Sequence, residues 1–146
     1  MKRTSFDAMN CSVARTLDIV GDAWTLLIVR DALFAPLRFD DLQRSLGIPR
    51  TTLTNRLASL VEHDVLERRD YQAAPVRQEY VITAKGRALH PVIVSMLQWG
   101  DEWSSLEQPP VTLIDADTGD DIEPVYIDRR TGAELHDLAI TRRHNT

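Results

Sequence analysis

Residues 38–63 contain two short helical patterns joined by a glycine-containing turn, and this arrangement constrains the fold more than any other feature of the sequence. Apolar side chains recur at helical spacing from Phe39 to Leu46, and Gly47 follows as a residue that commonly ends a helix. A second helical pattern begins three residues later and runs over 50–63. Two helices joined by so tight a turn predict a helix-turn-helix unit.

The second helix of this unit carries a narrow apolar stripe and an outer face of short polar and guanidinium side chains. An ordinary solvated helix face is the alternative, but such a face more often carries Glu and Lys. Arg, Thr and Asn are the residue types that reach base edges and phosphates in a major groove, so the sequence favours DNA contact. Arg50 is the best candidate for a base contact because it lies at the helix N-terminus. The candidate residues in and beside the two helices are Arg38, Arg50, Thr51, Thr52, Thr54, Asn55 and Arg56.

A basic β-hairpin is predicted directly after the helix-turn-helix unit. The segments VLERRDY (65–71) and VRQEYVIT (76–83) have the character of strands, and the turn AAP joins them. The candidate phosphate or minor-groove contacts are Arg68, Arg69 and Arg77, with Arg77 nearest the tip; strand solubility is the alternative. Although the chain has a net charge of −5, the segment 68–87 holds five basic and two acidic residues. A local basic surface matters more for phosphate binding than the total charge.

The remaining patterns predict helices on both sides of this module and a small β appendage. A helical stretch over 12–34 is interrupted at Gly21-Asp22, and Thr83 caps a long helix over 84–103. In the tail, Ile114-Asp115 and Thr118-Gly119 recur thirteen residues later, which predicts two hairpins. The fold class is therefore α+β, mainly α: a winged helix-turn-helix with N- and C-terminal dimerisation helices and a C-terminal β-hairpin appendage. We expect a DNA-binding and dimerisation domain at 1–108 and an extension at 109–146.

Several classes of protein find little support in this sequence. The single cysteine excludes an intramolecular disulfide and a cysteine-rich zinc site. No apolar run is long enough to span a bilayer and no secretory signal is visible, so we expect a cytoplasmic protein without a membrane partner. No P-loop, dinucleotide fingerprint, nucleophile elbow or HExxH motif occurs, so we expect neither an enzyme nor a cofactor. The acidic residues at 115–123 lack the glycine position of a calcium loop and are interpreted as polar turns.

Taken in order, residues 11–103 resemble the HxlR-type transcription regulators, a branch of the MarR-like winged-helix superfamily. The most specific segments are GDAWT (21–25) and YVITAKG (80–86). The resemblance implies a homodimer that binds a palindromic operator in double-stranded DNA and usually represses nearby genes. It implies that the helix over 50–63 is the recognition helix and the hairpin over 68–79 the wing.

The resemblance also makes Cys11 a candidate redox sensor, because it matches the family's N-terminal cysteine. With no second cysteine in the chain, the switch would be a bridge between the Cys11 residues of two protomers or capping by a small thiol. An inert, buried Cys11 is the alternative. A small-molecule effector is the other candidate signal, and Trp24, Trp99 and Trp103 are interpreted as core or dimer-interface residues rather than its pocket. The main rival function is a winged-helix protein-interaction module that does not bind DNA.

Overall fold

A computed structural model of the protein describes residues 5–105 and 107–143, and it contains the helix-turn-helix unit and the hairpin predicted above. The described residues are mainly helical with one two-stranded antiparallel sheet, so the predicted winged-helix fold class is confirmed. The elements are α1 (Ser12–Val20), α2 (Ala23–Ala32), α3 (Phe39–Leu46), α4 (Arg50–Glu62), β1 (Leu66–Ala73), β2 (Val76–Ile82), α5 (Ala84–Arg87), α6 (His90–Trp103) and a 3-10 helix at Leu135–Asp137.

The predicted interruption at Gly21-Asp22 separates α1 from α2. Gly21 ends α1 by donating its N–H to the carbonyl of Leu17 at 2.9 Å. A Cβ at position 21 would lie 2.4 Å from that same carbonyl oxygen, so only glycine fits there. Asp22 then begins α2 as its N-cap, because its carboxylate accepts a hydrogen bond from the Thr25 backbone N–H at 3.2 Å.

The turn of the helix-turn-helix unit is built on Gly47. Its φ of +64° is a left-handed conformation that L side chains rarely adopt, and its N–H closes α3 onto the Gln43 carbonyl at 3.0 Å. The apolar faces of the helices and of the hairpin base share one core. Its members include Ile28, Val29, Leu42, Ile48, Leu53, Leu57, Leu60, Leu66 and Ile82.

The hairpin of β1 and β2 forms the wing. Arg69 pairs with Glu79 in the register, and the ladder is irregular between Asp70 and Gln72. The base of the wing is hydrogen-bonded to the segment before α3. Leu37 and Tyr80 exchange two backbone hydrogen bonds of 2.8 Å. The wing and the helix-turn-helix unit are therefore joined through backbone as well as side chains.

The prediction of one continuous helix over 84–103 is wrong. Thr83 does cap a helix, since its hydroxyl accepts from the Gly86 N–H at 3.0 Å, but that helix, α5, ends at Arg87. A new helix, α6, begins at His90. Pro91 explains the break, because it lacks an N–H and its ring would collide with the carbonyl of Arg87 in an uninterrupted helix.

The described residues form two compact units, one ending at Leu97 and one beginning at Gln98. The predicted domain boundary after residue 108 stays a prediction. No helix in the part of the chain that the structure describes combines the length and the apolar character needed to cross a bilayer.

The thirteen-residue repeat of the second unit appears as two similar turns. Gly119 and Gly132 have φ of +77° and +72°, and each donates its N–H to the carbonyl of an aspartate four residues earlier. Each hairpin is closed by one isolated bridge, Ile114 with Asp121 and Ile127 with Glu134, instead of the full strands that we expected. Each repeat pairs too few residues to extend a ladder.

Candidate nucleic-acid interface

The outward face of α4 is polar along its first two turns. Thr51, Thr54 and Asn55 are exposed, whereas Leu53 and Leu57 on the opposite side are fully buried. Thr52 is half-buried at the edge between the two faces. The core thus fixes which side of α4 faces solvent, and that side offers hydroxyl and amide groups that can both donate and accept hydrogen bonds.

Arg50 is the first residue of α4 and is loosely held. Its guanidinium lies 4.7 Å from the centroid of the Phe39 ring, and Nη1 is 3.7 Å from Asp40 Oδ1. The side chain remains 71% exposed. An exposed ion pair at this distance contributes little, so Arg50 can exchange Asp40 for a nucleic-acid acceptor at small cost.

Arg38 connects the helix-turn-helix unit to the wing. It is the N-cap residue of α3, and its guanidinium stacks 4.3 Å from the centroid of the Tyr71 ring on β1. Cation–π contacts of this kind orient a guanidinium without neutralising its charge. Arg38 is exposed and therefore remains available to an anion.

The predicted arginines of the wing differ in their partners. Arg69 Nε lies 2.7 Å from Oε1 of Glu79, whose side chain is only 10% exposed. Arg68 and Arg77 are exposed, and within the described part of the chain no carboxylate lies within ion-pair distance of either. The wing therefore presents two uncompensated guanidinium groups, while Arg69 keeps Glu79 neutralised.

A polar cleft of about 450 Å³ separates α3 from the wing, and the sequence analysis missed it. Arg44, from the last turn of α3, is 77% exposed and lies 3.3 Å from Asp41. We call this region the α3–wing cleft. Its lining residues are Arg38, Phe39, Asp40, Asp41, Arg44, Tyr71, Arg77 and Gln78. Arg44 was missed because it follows two aspartates, which gives its helix an acidic appearance in sequence.

Arg56 faces inward, unlike the other candidates on α4. Its Nε lies 2.9 Å from Oδ1 of Asp22, and its Nη2 donates to Oδ2 at 3.0 Å. The Arg56 side chain is 26% exposed and that of Asp22 is 24% exposed. The guanidinium of Arg56 is thus occupied by a carboxylate of α2.

Cys11 is exposed and immediately precedes α1. It occupies the N-cap position, and its side chain makes no capping hydrogen bond. Its thiol is therefore open to solvent reagents, in contrast to the buried alternative considered above.

The tryptophans fall into two environments. Trp24 is half-buried and packs against the core, whereas Trp99 and Trp103 on α6 are each 67% exposed. Val92 and Met96 are exposed on the same helix, and the four residues follow an i, i+4, i+7, i+11 spacing. The described chain thus leaves an apolar stripe of α6 in solvent.

In the second unit, Glu134, His136 and Asp137 bring potential metal-ligand atoms within 4.8 Å of one another. Both imidazole nitrogens of His136 lie within 3.3 Å of a carboxylate oxygen, and its side chain is 74% exposed. Close contacts between the imidazole and the two neighbouring carboxylates account for this arrangement without a metal.

Comparisons with known proteins agree with this geometry. The family model for the HxlR-like helix-turn-helix matches residues 19–108. The uncharacterized HTH-type transcriptional regulator Rv3095 of Mycobacterium tuberculosis (strain ATCC 25618 / H37Rv) is 45% identical over 125 residues, which cover 85% of this chain and 79% of the relative.

Solved structures of transcription regulators also match this fold. The crystal structure of PA1607, a candidate transcription factor, superposes with a TM-score of 0.83 at 36% identity and covers 96% of this chain and 100% of that one. The redox regulator HypR in its oxidized form matches with a TM-score of 0.61 at 29% identity, over 66% of this chain and 100% of that one. The match to PA1607 thus extends into the tail, and about a third of this chain lies outside the match to HypR.

Proposed function

Because the chain belongs to the HxlR-like helix-turn-helix family of transcriptional regulators, we propose that a homodimer of it binds a palindromic DNA operator and represses transcription there. The observation that carries this proposal is the outward face of α4. Its polar side chains are exposed, Arg50 at its start contacts Phe39 and Asp40 of α3, and α3 and the wing carry exposed guanidinium groups of their own. The homologues are transcriptional regulators, a kind of protein without enzymatic activity.

In this account α4 is the recognition helix. Thr51, Thr54 and Asn55 face the base edges of the major groove, and Arg50 reaches a guanine from the helix N-terminus. The hydroxyl of Thr54 already donates its hydrogen to the Arg50 carbonyl at 3.0 Å, which leaves the lone pairs of the oxygen to accept from a base amino group. Sequence is therefore read by a few side chains on one helix.

The surrounding arginines supply sequence-independent affinity. Arg68 and Arg77 on the wing and Arg38 and Arg44 in the α3–wing cleft contact phosphates on either side of the groove. Phosphate contacts position a protein on the duplex without reading its sequence. Each one adds about 0.9 to the slope of log affinity against log salt concentration.

The apolar stripe on α6 supports the homodimer. Val92, Met96, Trp99 and Trp103 would otherwise remain in water, and large contiguous apolar patches on soluble proteins mark interaction sites. Val13 and Leu17 on α1 are exposed in the same way. We propose that α1 and α6 build the dimer, so that two copies of α4 enter successive major grooves about one helical turn of DNA apart.

Thiol chemistry at Cys11 is the proposed signal. HypR is a redox regulator that is known in reduced and oxidized forms, and Cys11 is exposed at the start of one proposed dimer helix. Two Cys11 thiols, one per protomer, would form a disulfide and give two electrons and two protons to hydrogen peroxide, which is reduced to two waters. Such a bridge would change the spacing of the two recognition helices and release the operator.

Selection from a pool of random DNA duplexes tests the proposal and requires no assumed operator sequence. We expect enrichment of a palindrome whose half-sites lie about one helical turn apart. Peroxide should abolish binding to the selected duplex, and Cys11→Ser should bind it but ignore peroxide. A pool that never enriches would favour the protein-interaction alternative, and a Cys11→Ser protein that still responds would exclude the thiol switch.

A further inference from the structure

An ion pair joins the recognition helix to the start of α2. Arg56 Nε lies 2.9 Å from Asp22 Oδ1, and Arg56 Nη2 donates to Oδ2 at 3.0 Å. About three quarters of each side chain is removed from solvent. Only Nη2 has hydrogen-bond geometry, so this one bond gives the pair its direction, while Nε adds a close charge contact.

Asp22 is held in place independently of Arg56. Its Oδ1 accepts from the Thr25 backbone N–H at 3.2 Å and from the Thr25 hydroxyl at 3.3 Å, and Thr25 is almost fully buried. The backbone on its other side is fixed by Gly21, where no larger residue fits. Asp22 is therefore an anchored acceptor whose position is set by α1 and α2.

Arg56 lies on α4 at the boundary between the buried face and the outward face. It follows Leu53 by three residues, which makes the two side chains neighbours on the helix surface, and it directly follows the exposed Asn55. The buried leucines set which side of α4 faces the core, but apolar packing is non-directional and tolerates small rotations of the helix. The pair with Asp22 adds a directional contact at the edge of the helix, and this contact opposes rotation of α4 about its own axis.

We infer that Asp22 and Arg56 are positioning residues that fix the rotation of the recognition helix and do not contact DNA. The inference rests on the proposed function, because it assigns the pair a role in reading the operator. It replaces the sequence-based prediction of Arg56 as a DNA contact. It also gives the GDAWT segment a role: glycine allows the turn, and aspartate caps α2 while it orients α4.

Asp22→Ser and Arg56→Gln test this inference on the selected duplex. Serine keeps an N-cap acceptor for Thr25 but cannot form the ion pair, and glutamine keeps much of the length of arginine without its charge. We expect each variant to bind the operator about tenfold more weakly, which corresponds to about 1.4 kcal/mol. Affinity for unrelated DNA and the salt slope should stay at wild-type values, and the double variant should be no weaker than the weaker single variant.

These readouts separate positioning from other roles. If Arg56 were a phosphate contact, Arg56→Gln would lower the salt slope and the affinity for unrelated DNA, and Asp22→Ser would bind as well as wild type or better. A purely structural role would act only through the folded fraction, so specific and unrelated DNA would lose affinity equally, and both losses would vanish once affinity is calculated per folded protein. Either result would overturn the inference. Arg30→Gln is the matched control, since it breaks the pair with Asp31 on α2. It should change neither the preference for the operator over unrelated DNA nor the salt slope.

The wild-type protein distinguishes this inference from the proposed function. If wild type shows no preference for any duplex, the proposed function and the positioning role fail together. If wild type discriminates and both variants discriminate equally well, only the positioning role fails.

Discussion

At the residue scale, the arginines of the candidate surface differ in what their guanidinium groups touch. Arg56 and Arg69 contact carboxylates at 2.9 and 2.7 Å, and both of those carboxylates are largely buried. Arg50 keeps a longer, exposed contact of 3.7 Å with Asp40. Breaking a pair with a buried carboxylate leaves an uncompensated charge, whereas exchanging an exposed partner costs little. Arg50 is therefore better placed than Arg56 to bind DNA.

We expect Arg50→Ala to weaken operator binding by about 1–3 kcal/mol and to relax discrimination at one base position in each half-site. The reason is loss of a two-pronged contact to a guanine edge. Anisotropy titrations against the operator and against duplexes mutated at single positions measure this effect. Arg30→Ala, which removes an exposed arginine from α2, is the matched control. Equal losses on operator and mutated duplexes would show that Arg50 contacts only phosphate.

The tail offers a residue-scale prediction about pH. The Thr131 hydroxyl donates to Asp128 Oδ2 at 2.8 Å and the Arg130 N–H donates to Oδ1 at 3.1 Å, and these bonds hold the pKa of Asp128 below its ordinary value of 3.8. Since the folded pKa is the lower one, the bonds stabilise the turn fully above pH 3.8 and lose effect as the pH falls through the folded pKa. An NMR titration of the side-chain carboxyl carbon should show the low midpoint, and Thr131→Val should raise it. A wild-type midpoint at or above 3.8 would contradict this assignment.

Sequence patterns predicted the outward residues of α4 but not the partners of its arginines. Helical periodicity identifies which residues lie opposite the leucines, and it placed Thr51, Thr54 and Asn55 correctly in solvent. Arg56 has the same chemistry as Arg50 in sequence. Its partner Asp22 lies 34 positions away, and only the packing of α2 against α4 brings the two together.

At the scale of the elements, the wing carries a paired arginine near its middle and, within the described chain, an unpaired arginine near its tip. Arg69 and Glu79 form a cross-strand pair, and Arg77 lies beyond it toward the tip. We expect Arg77→Ala to weaken binding by a similar factor on every duplex and to lower the salt slope by about 0.9 per protomer. Titrations at several salt concentrations test this, with Arg129→Ala in the tail as the control. A change confined to the operator would instead make Arg77 a base-reading residue.

The order of the elements could be predicted, but their continuity could not. Periodicity, Gly47 and the Thr83 cap identified α3, α4, the wing and α5. The break between α5 and α6 was missed because Pro91 was assigned to a helix that begins at residue 84, whereas it lies in the first turn of a separate helix, α6. In the tail, the repeat predicted both turns. It did not predict that each hairpin would have a single bridge, at Ile114 and at Ile127, and that both side chains would be exposed.

At the scale of the whole molecule, the proposed function requires two chains. Replacing Trp99 and Trp103 by Gln should dissociate the dimer, because it removes the largest exposed apolar side chains of α6. Sedimentation equilibrium measures the dissociation constant directly. Val76→Gln, at an exposed position on the wing, is the control and should leave the dimer intact. An unchanged dimer in the double tryptophan variant would place the interface elsewhere.

The most direct test of the central claim is an anisotropy titration of the reduced protein with DNA from upstream of its own coding sequence, repeated at several salt concentrations. We expect binding that resists unrelated competitor DNA, saturates at two protomers per site and weakens steeply as the salt concentration rises. Binding that unrelated DNA removes at every salt concentration, here and with duplexes from random selection, would contradict the claim that this winged helix reads a DNA sequence.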